Sequence, residues 1–178
     1  MDFTKVVTSR RSIRKYTDQV VDQDKIIRIV EAARLAPSWK NLQCWRILVV
    51  DDKDKKELLI DAFEDTNPGK KAIAQAPVLI VVFADPQASG VVGDKQYYLV
   101  DIGICMEHMV LAAQAEGLGT CWLGLFDEDK VRAALDVPEQ LVPVAMTPLG
   151  YPNQEPKPRP RKELNEIAFK NSFGQTLE

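Results

Sequence analysis

Histidine is almost missing from this chain: His108 is the only one in 178 residues, and it is accompanied by just three cysteines, Cys44, Cys105 and Cys121. The cysteines are odd in number, widely spaced and never arranged as C-x-x-C. That pattern argues against a disulfide framework and a zinc site and fits a reducing compartment. So few nitrogen and sulfur ligands assemble no metal cluster. The glycines are equally uncooperative. "EGLGTCWLG" has the wrong spacing for a dinucleotide fingerprint, and "NPGKK" lacks both the upstream glycine and the following Ser or Thr of a P-loop. No G-x-S-x-G elbow occurs, and a Ser-His-Asp hydrolase would depend on His108, which lies mid-helix without a local partner. No apolar segment follows the first methionine as in a secretory signal, so the N-terminus reads as cytoplasmic. The longest apolar stretch, "YYLVDIGICMEHMVLAAQAEGLG", carries Asp101, Glu107, His108 and Gln114. Those groups are expensive in hydrocarbon, so the stretch reads as a buried soluble helix and no membrane span is expected.

What remains is a chain with 46% hydrophobic residues, sized for a single domain over residues 1–178 with a sizeable core. "DFTKVVTS" predicts a short helix leading into a cationic turn. "DQDKIIRIVEAARLA" sets Ile26, Ile29, Val30 and Ala33 at helical spacing behind Asp22 as cap, and Pro37 closes it. "PSWKNLQC" follows as a loop, "WRILVV" as a strand and "KDKKELLIDAFEDT" as a helix. "NPGKK" reads as a breaker and "PVLIVVFA" as a second strand, with both strands expected in the interior. After the polar "DPQASGVVGDK" comes the long helix, apolar on more faces than one sheet can cover and so suited to a partner. "GTCWLGLF" then predicts a strand, "DEDKVRAAL" a helix capped by Asp127, and "LVPVAMTPLGY" a strand. "PNQEPKPRPRKE" holds four prolines in twelve residues and must run over the surface as an extended arm, ending in an irregular tail. Helices alternating with at least four strands imply a layered α+β or α/β fold.

The positive charge is the informative feature. Eight of the 23 Lys and Arg residues fall in "SRRSIRKY" (9–16) and "KPRPRK" (157–162), although the net charge is -3. Three readings compete: solvated surface charge, a nucleic-acid patch, and a phosphate site. An acidic pI of about 5.3 and the lack of interleaved aromatics weigh against nucleic acid. A phosphate monoester needs two or three cations with bidentate geometry, which arginine supplies best.

"SRRSIRKY", "AARLAPSWKNLQCWRILVV", "AEGLGTCWLG" and "LGYPNQEPKPRPR" resemble, in order and spacing, the FMN-dependent nitroreductase family, over about Phe3 to Phe173. The resemblance implies an α+β fold with a central, mostly antiparallel sheet flanked by helices. It also implies an intertwined homodimer with FMN at the subunit interface, residues 157–178 forming the C-terminal arm. By the same resemblance Arg10 binds the phosphate, Arg14 approaches the ribityl chain and the ring's O2 edge, and Ser12 and the Arg11 backbone add hydrogen bonds. Arg159 and Arg161 complete the phosphate clamp. Pro37, Ser38, Asn41 and Gln43 contact the flavin from the other subunit. The backbone amides of Leu123 and Gly124 face O4 and N5, and Cys121 and Trp122 either pack near the ring or belong to the core. Lys71, or Lys70 if the loop shifts, approaches N1 and O2, with Asn67 in the same feature.

Two departures stand out: Trp39 where a small residue is frequent, and Cys44 where proline usually follows the glutamine. Trp45 reads as core. The implied activity is an FMN-dependent NAD(P)H oxidoreductase that reduces nitroaromatics, quinones or flavins by two-step hydride transfer through flavin N5, without a side-chain catalyst. Alternatives are an FMN-binding or sensing module without turnover and a reductive dehalogenase-like member of the fold.

Overall fold

Seven consecutive apolar residues, Val78–Ala84, are buried on both faces because helices cover both sides of the sheet they cross. The computed structural model describes residues 2–177. In chain order its elements are α1 (Phe3–Ser9), α2 (Gln23–Arg34), β1 (Trp45–Val50), α3 (Lys53–Ile60), α4 (Gly69–Gln75), β2 (Val78–Ala84), β3 (Val91–Val92), β4 (Lys95–Gln96), α5 (Tyr97–Ala115), β5 (Gly119–Thr120), α6 (Glu128–Leu135), β6 (Val142–Gly150) and α7 (Leu164–Ile167). The main sheet has the order β1-β2-β6-β5, and every pairing in it is antiparallel.

Alternation along β2 divides the core in two. Val78, Ile80, Val82 and Ala84 pack with Ile29 and Ala33 of α2 and with Ile102, Met106 and Met109 of α5. Leu79, Val81 and Phe83 pack on the other face with Leu59, Ile73 and Val131 from α3, α4 and α6. Each such side chain removed from water contributes about 1.5–3 kcal/mol before entropy is charged against it. Trp45 is buried with the first group, as expected.

Several elements differ from the sequence expectation. β1 is an edge strand, not an interior one, and Arg46, Leu48 and Val49 are exposed. "NPGKK" does not break structure but opens α4, so Lys70 and Lys71 lie on a helix. The helix expected through Thr66 stops at Ile60. The strand expected over 119–126 is limited to Gly119–Thr120, with one further bridge from Leu123 to Met146. The polar "DPQASGVVGDK" contains the β3–β4 hairpin, turned at Gly93 with φ 59°, a conformation glycine adopts freely. The cationic segment 10–16 is extended, not turned, with bridges from Ser12 to Thr120 and from Tyr16 to Pro152. Asp2, Asp52 and Asp127 cap their helices through their carboxylates. Asp22 occupies the cap position without such a bond. Among the described residues, no helix is long and apolar enough to cross a membrane, and no group of three or more His, Cys, Asp or Glu could hold a metal ion.

Candidate functional site

The chain's two ends meet because both are sewn to the β5 edge of the sheet. Ile13 donates its N–H to the Thr120 carbonyl at 2.8 Å, Thr17 to Tyr151 at 3.0 Å, and Asn153 returns a bond to Lys15 at 2.9 Å. The Tyr16 hydroxyl donates to the Ile13 carbonyl at 2.6 Å, and the Gln154 amide reaches the Ser12 carbonyl at 3.5 Å. Ile13 and Tyr16 are buried against Ala72 and Ala76 of α4. Gly119 permits this approach, since a Cβ there would lie 2.7 Å from Ile13 Cγ1. Alternation along an extended segment then turns Ser12 and Arg14 away from the side that buries Ile13.

The result is a cleft of about 880 Å³ whose lining includes Arg10, Arg11, Ser12 and Arg14 from one end of the chain and Lys157, Arg159 and Arg161 from the other. Its six cations face one acid, Glu155. Among the described residues, the guanidiniums of Arg10, Arg14, Arg159 and Arg161 make no hydrogen bond or ion pair. Arg11 differs: its Nη1 donates to the Thr8 and Arg10 carbonyls, both at 2.8 Å. Unpartnered guanidiniums beside a serine hydroxyl form a donor set suited to a phosphate dianion.

The strand end carries the site onward from the cleft. Cys121 is buried, which pushes its thiol up, while Arg14, Ser12 and Arg10 pull it the other way. It belongs to the second core group. Trp122, in contrast, is 44% exposed. The Leu123 amide is committed to the Met146 carbonyl at 2.8 Å. That corrects the expectation that it faces a ligand; the Gly124 amide has no partner among the described residues. Asn67 uses both ends of its amide, accepting from the Gly69 N–H at 2.8 Å and donating to the Leu125 carbonyl at 3.3 Å. It therefore ties α4 to the strand end, where Leu123 comes so close that a Cβ on Gly69 would meet it at 3.0 Å. Lys70 is bound to Asp65 at 2.7 Å. Lys71 is exposed and has no partner among the described residues, unlike Lys70.

Pro37, Ser38, Asn41 and Gln43 do not line the arginine cleft of their own chain. They form a tight loop in which the Ser38 hydroxyl accepts the Gln43 N–H at 2.9 Å and the Gln43 amide donates to the Asn41 carbonyl at 3.0 Å. Lys40, Asn41 and Gln43 all have positive φ (47°, 59° and 53°), which for residues other than glycine is uncommon and strained. Residues missed from sequence include Tyr16 and Gln154, which anchor the cationic segment, and Asp101, which anchors the loop by accepting the Trp39 N–H at 2.8 Å. A carboxylate in the first half of an otherwise apolar helix was the available signal for Asp101.

A sequence model described as the nitroreductase family aligns with residues 7–72 and 64–151. A nitroreductase family protein from Clostridium novyi has 38% sequence identity and a TM-score of 0.84, covering 99% of this chain and 97% of its own. An FMN-dependent nitroreductase from Clostridium difficile has 29% identity and a TM-score of 0.82, covering 95% and 99%. An NADH dehydrogenase from Thermus thermophilus is 31% identical across 95% of this chain and 96% of its own length.

Proposed function

We propose, from the premise that this chain belongs to the nitroreductase family, that it is an FMN-dependent NAD(P)H oxidoreductase acting on small electron-poor acceptors such as nitroaromatics and quinones. The observation that carries this reading is the convergence of unpartnered arginines from both chain ends on one cleft. The four steps from Thr120, beside Ser12, to Gly124 span at most about 13 Å of extended chain, so one elongated cofactor can reach from the cleft to the free amide. Arg10, Arg159 and Arg161 would hold the phosphate, Ser12 and Arg14 the chain beyond it, and Gly124 and Lys71 the polar edge of the ring. When bound, FMN accepts a hydride from the reduced nicotinamide and passes electrons to the acceptor. The chain's own contribution is to bind and orient, and to surround the ring's electron-rich edge with fixed positive charge.

The site also asks for a second copy. An apolar groove of about 950 Å³ between α1, α2 and α5 is lined by Phe3, Leu35, Val100, Ile104 and Leu111, among others, and Leu99 beside it is 50% exposed. A surface of this kind marks association, and a homodimer built on it would bring the 37–43 loop to the partner's cleft. Leu164, Ile167 and Phe173 of the arm are exposed as well and would wrap that partner.

The test is the absorbance spectrum of the purified protein, with FMN added if it emerges colourless, followed by NADH or NADPH oxidation with a nitroaromatic or quinone. Stoichiometric flavin and acceptor-dependent turnover are expected from a dimeric species. A protein that never binds FMN overturns the reading. Bound flavin that nicotinamide cannot reduce would leave only a flavin-binding module.

A further inference from the structure

Trp39 and Cys44 meet on one carboxylate, that of Asp101. Asp101 is 3% exposed, and the described residues bring no cation to it. Its Oδ1 accepts the Trp39 N–H at 2.8 Å; its Oδ2 accepts the Ser89 hydroxyl at 2.8 Å and the Cys44 thiol at 3.6 Å. Three segments are thereby fastened to the start of α5: the 38–43 loop, the entry to β1 and the turn before the β3–β4 hairpin. The Trp39 ring is closed in on two sides. It lies on the Gly90 backbone so tightly that a Cβ there would sit 2.2 Å from Trp39 Cε2, and its centroid is 4.3 Å from that of Tyr97. Tyr97 is fixed in turn by its N–H to the Gly90 carbonyl at 2.9 Å. An indole held this way cannot swing aside to admit a wider molecule.

We propose that Asp101 is a positioning residue that holds Trp39 as a rigid wall of the acceptor site and so restricts acceptors to narrow, single-ring planar compounds. The inference rests on the flavin reading above, since it takes Ser38 and Asn41, on either side of Trp39, to face the ring. The charged groups near the wall are Lys40, whose ammonium lies 5.9 Å from the Trp39 ring centroid, and Asp101 itself.

The experiment measures kcat/KM of the FMN-loaded enzyme for benzoquinone and for free riboflavin, a three-ring acceptor. Flavin content and the anaerobic rate of reduction by nicotinamide serve as controls. Trp39→Ala should raise the riboflavin-to-benzoquinone ratio by about tenfold, the scale on which a shaped pocket discriminates by size, while Trp39→Phe should largely retain the parent ratio. Asp101→Asn should move the ratio in the same direction, and the double variant should match Trp39→Ala alone, because Asp101 acts through Trp39. Ser89→Ala, which removes one donor to the carboxylate, serves if Asp101→Asn does not fold. A ratio unchanged by Trp39→Ala with both controls intact overturns the proposal, as does an effect of Asp101→Asn undiminished in the Trp39→Ala background. Absence of flavin or of nicotinamide oxidation in the parent protein instead overturns the underlying functional reading.

Discussion

Replacing the cleft arginines one at a time should separate them into two classes. Among the described residues the Arg10 guanidinium makes no hydrogen bond, so Arg10→Ala removes the proposed phosphate ligand without leaving an orphaned partner. A hydrogen bond to a charged group contributes about 1.5–3 kcal/mol, and each 1.4 kcal/mol is about tenfold in affinity. FMN binding should therefore weaken by roughly ten- to a hundredfold in Arg10→Ala and, by the same reasoning, in Arg161→Ala. Arg11→Ala should cost much less, because that guanidinium already serves the Thr8 and Arg10 carbonyls. The arm residues Arg159 and Arg161 are exposed, and such substitutions usually change stability by less than about 0.5 kcal/mol, so thermal midpoints should barely move. Flavin fluorescence titration of the apoprotein at several salt concentrations reads the affinities, and the salt dependence should flatten in Arg10→Ala because one screened attraction is gone. If Arg11→Ala proves as damaging as Arg10→Ala, or if Arg10→Ala and Arg161→Ala both retain parental affinity, the phosphate assignment is wrong.

Gly119→Ala should cost about 1–3 kcal/mol, as overpacking does, since its Cβ would meet three Ile13 side-chain atoms at 2.7–2.9 Å. FMN affinity should fall with it as Ser12 and Arg14 shift, whereas a stable variant with unaltered binding would show that the segment does not position the cleft. Burial raises the Tyr16 pKa above its ordinary value near 10. Its stabilising contribution is therefore complete below the unfolded-state value and is lost as pH rises past about 10. Denaturant midpoints should decline above that pH, and Tyr16→Phe should flatten the decline while lowering the neutral-pH plateau; an alkaline limb of equal steepness in the variant would refute the assignment.

Hydrophobic pattern carried most of the fold, because β2 and α5 leave few alternatives. Val78–Ala84 is apolar at every position and needs cover on both faces, and α5 is apolar beyond what one sheet can bury. Pairing decides what pattern cannot: "WRILVV" is as apolar as an interior strand, yet β1 ends at an edge because no strand among the described residues pairs with its outer side. The helix that opens at "NPGKK" likewise depends on contacts distant in sequence. Gly69 reads locally as a breaker but is buried at the start of α4, where close contact with Leu123 favours a residue without a side chain. The arginines of the candidate site were legible as an excess of one charge in two short segments, and the structure places them together. The Leu123 amide was misread because a backbone donor leaves no trace in residue identity. Its commitment to Met146 is a fact of register alone.

The cleft also explains why so much secondary bonding is spent on an irregular segment. Six cations gathered with only one carboxylate in about 880 Å³ repel one another, and like charges held this close oppose the fold that gathers them. Opposing that repulsion are the backbone bonds of residues 13–17 to Thr120 and Tyr151, the Asn153 bond to Lys15, and the burial of Ile13 and Tyr16 against α4. Those contacts lie at the sheet edge and beneath the cleft, not within it, so the arginines stay free while their backbone is held. A dianion that neutralises part of the charge would then relieve the repulsion as well as bind, adding its binding free energy to the stability of the folded chain. The energetic cost of assembling the site before the ligand arrives falls on the β5 edge, and removing that support should loosen the ligand more than removing any contact elsewhere in the core.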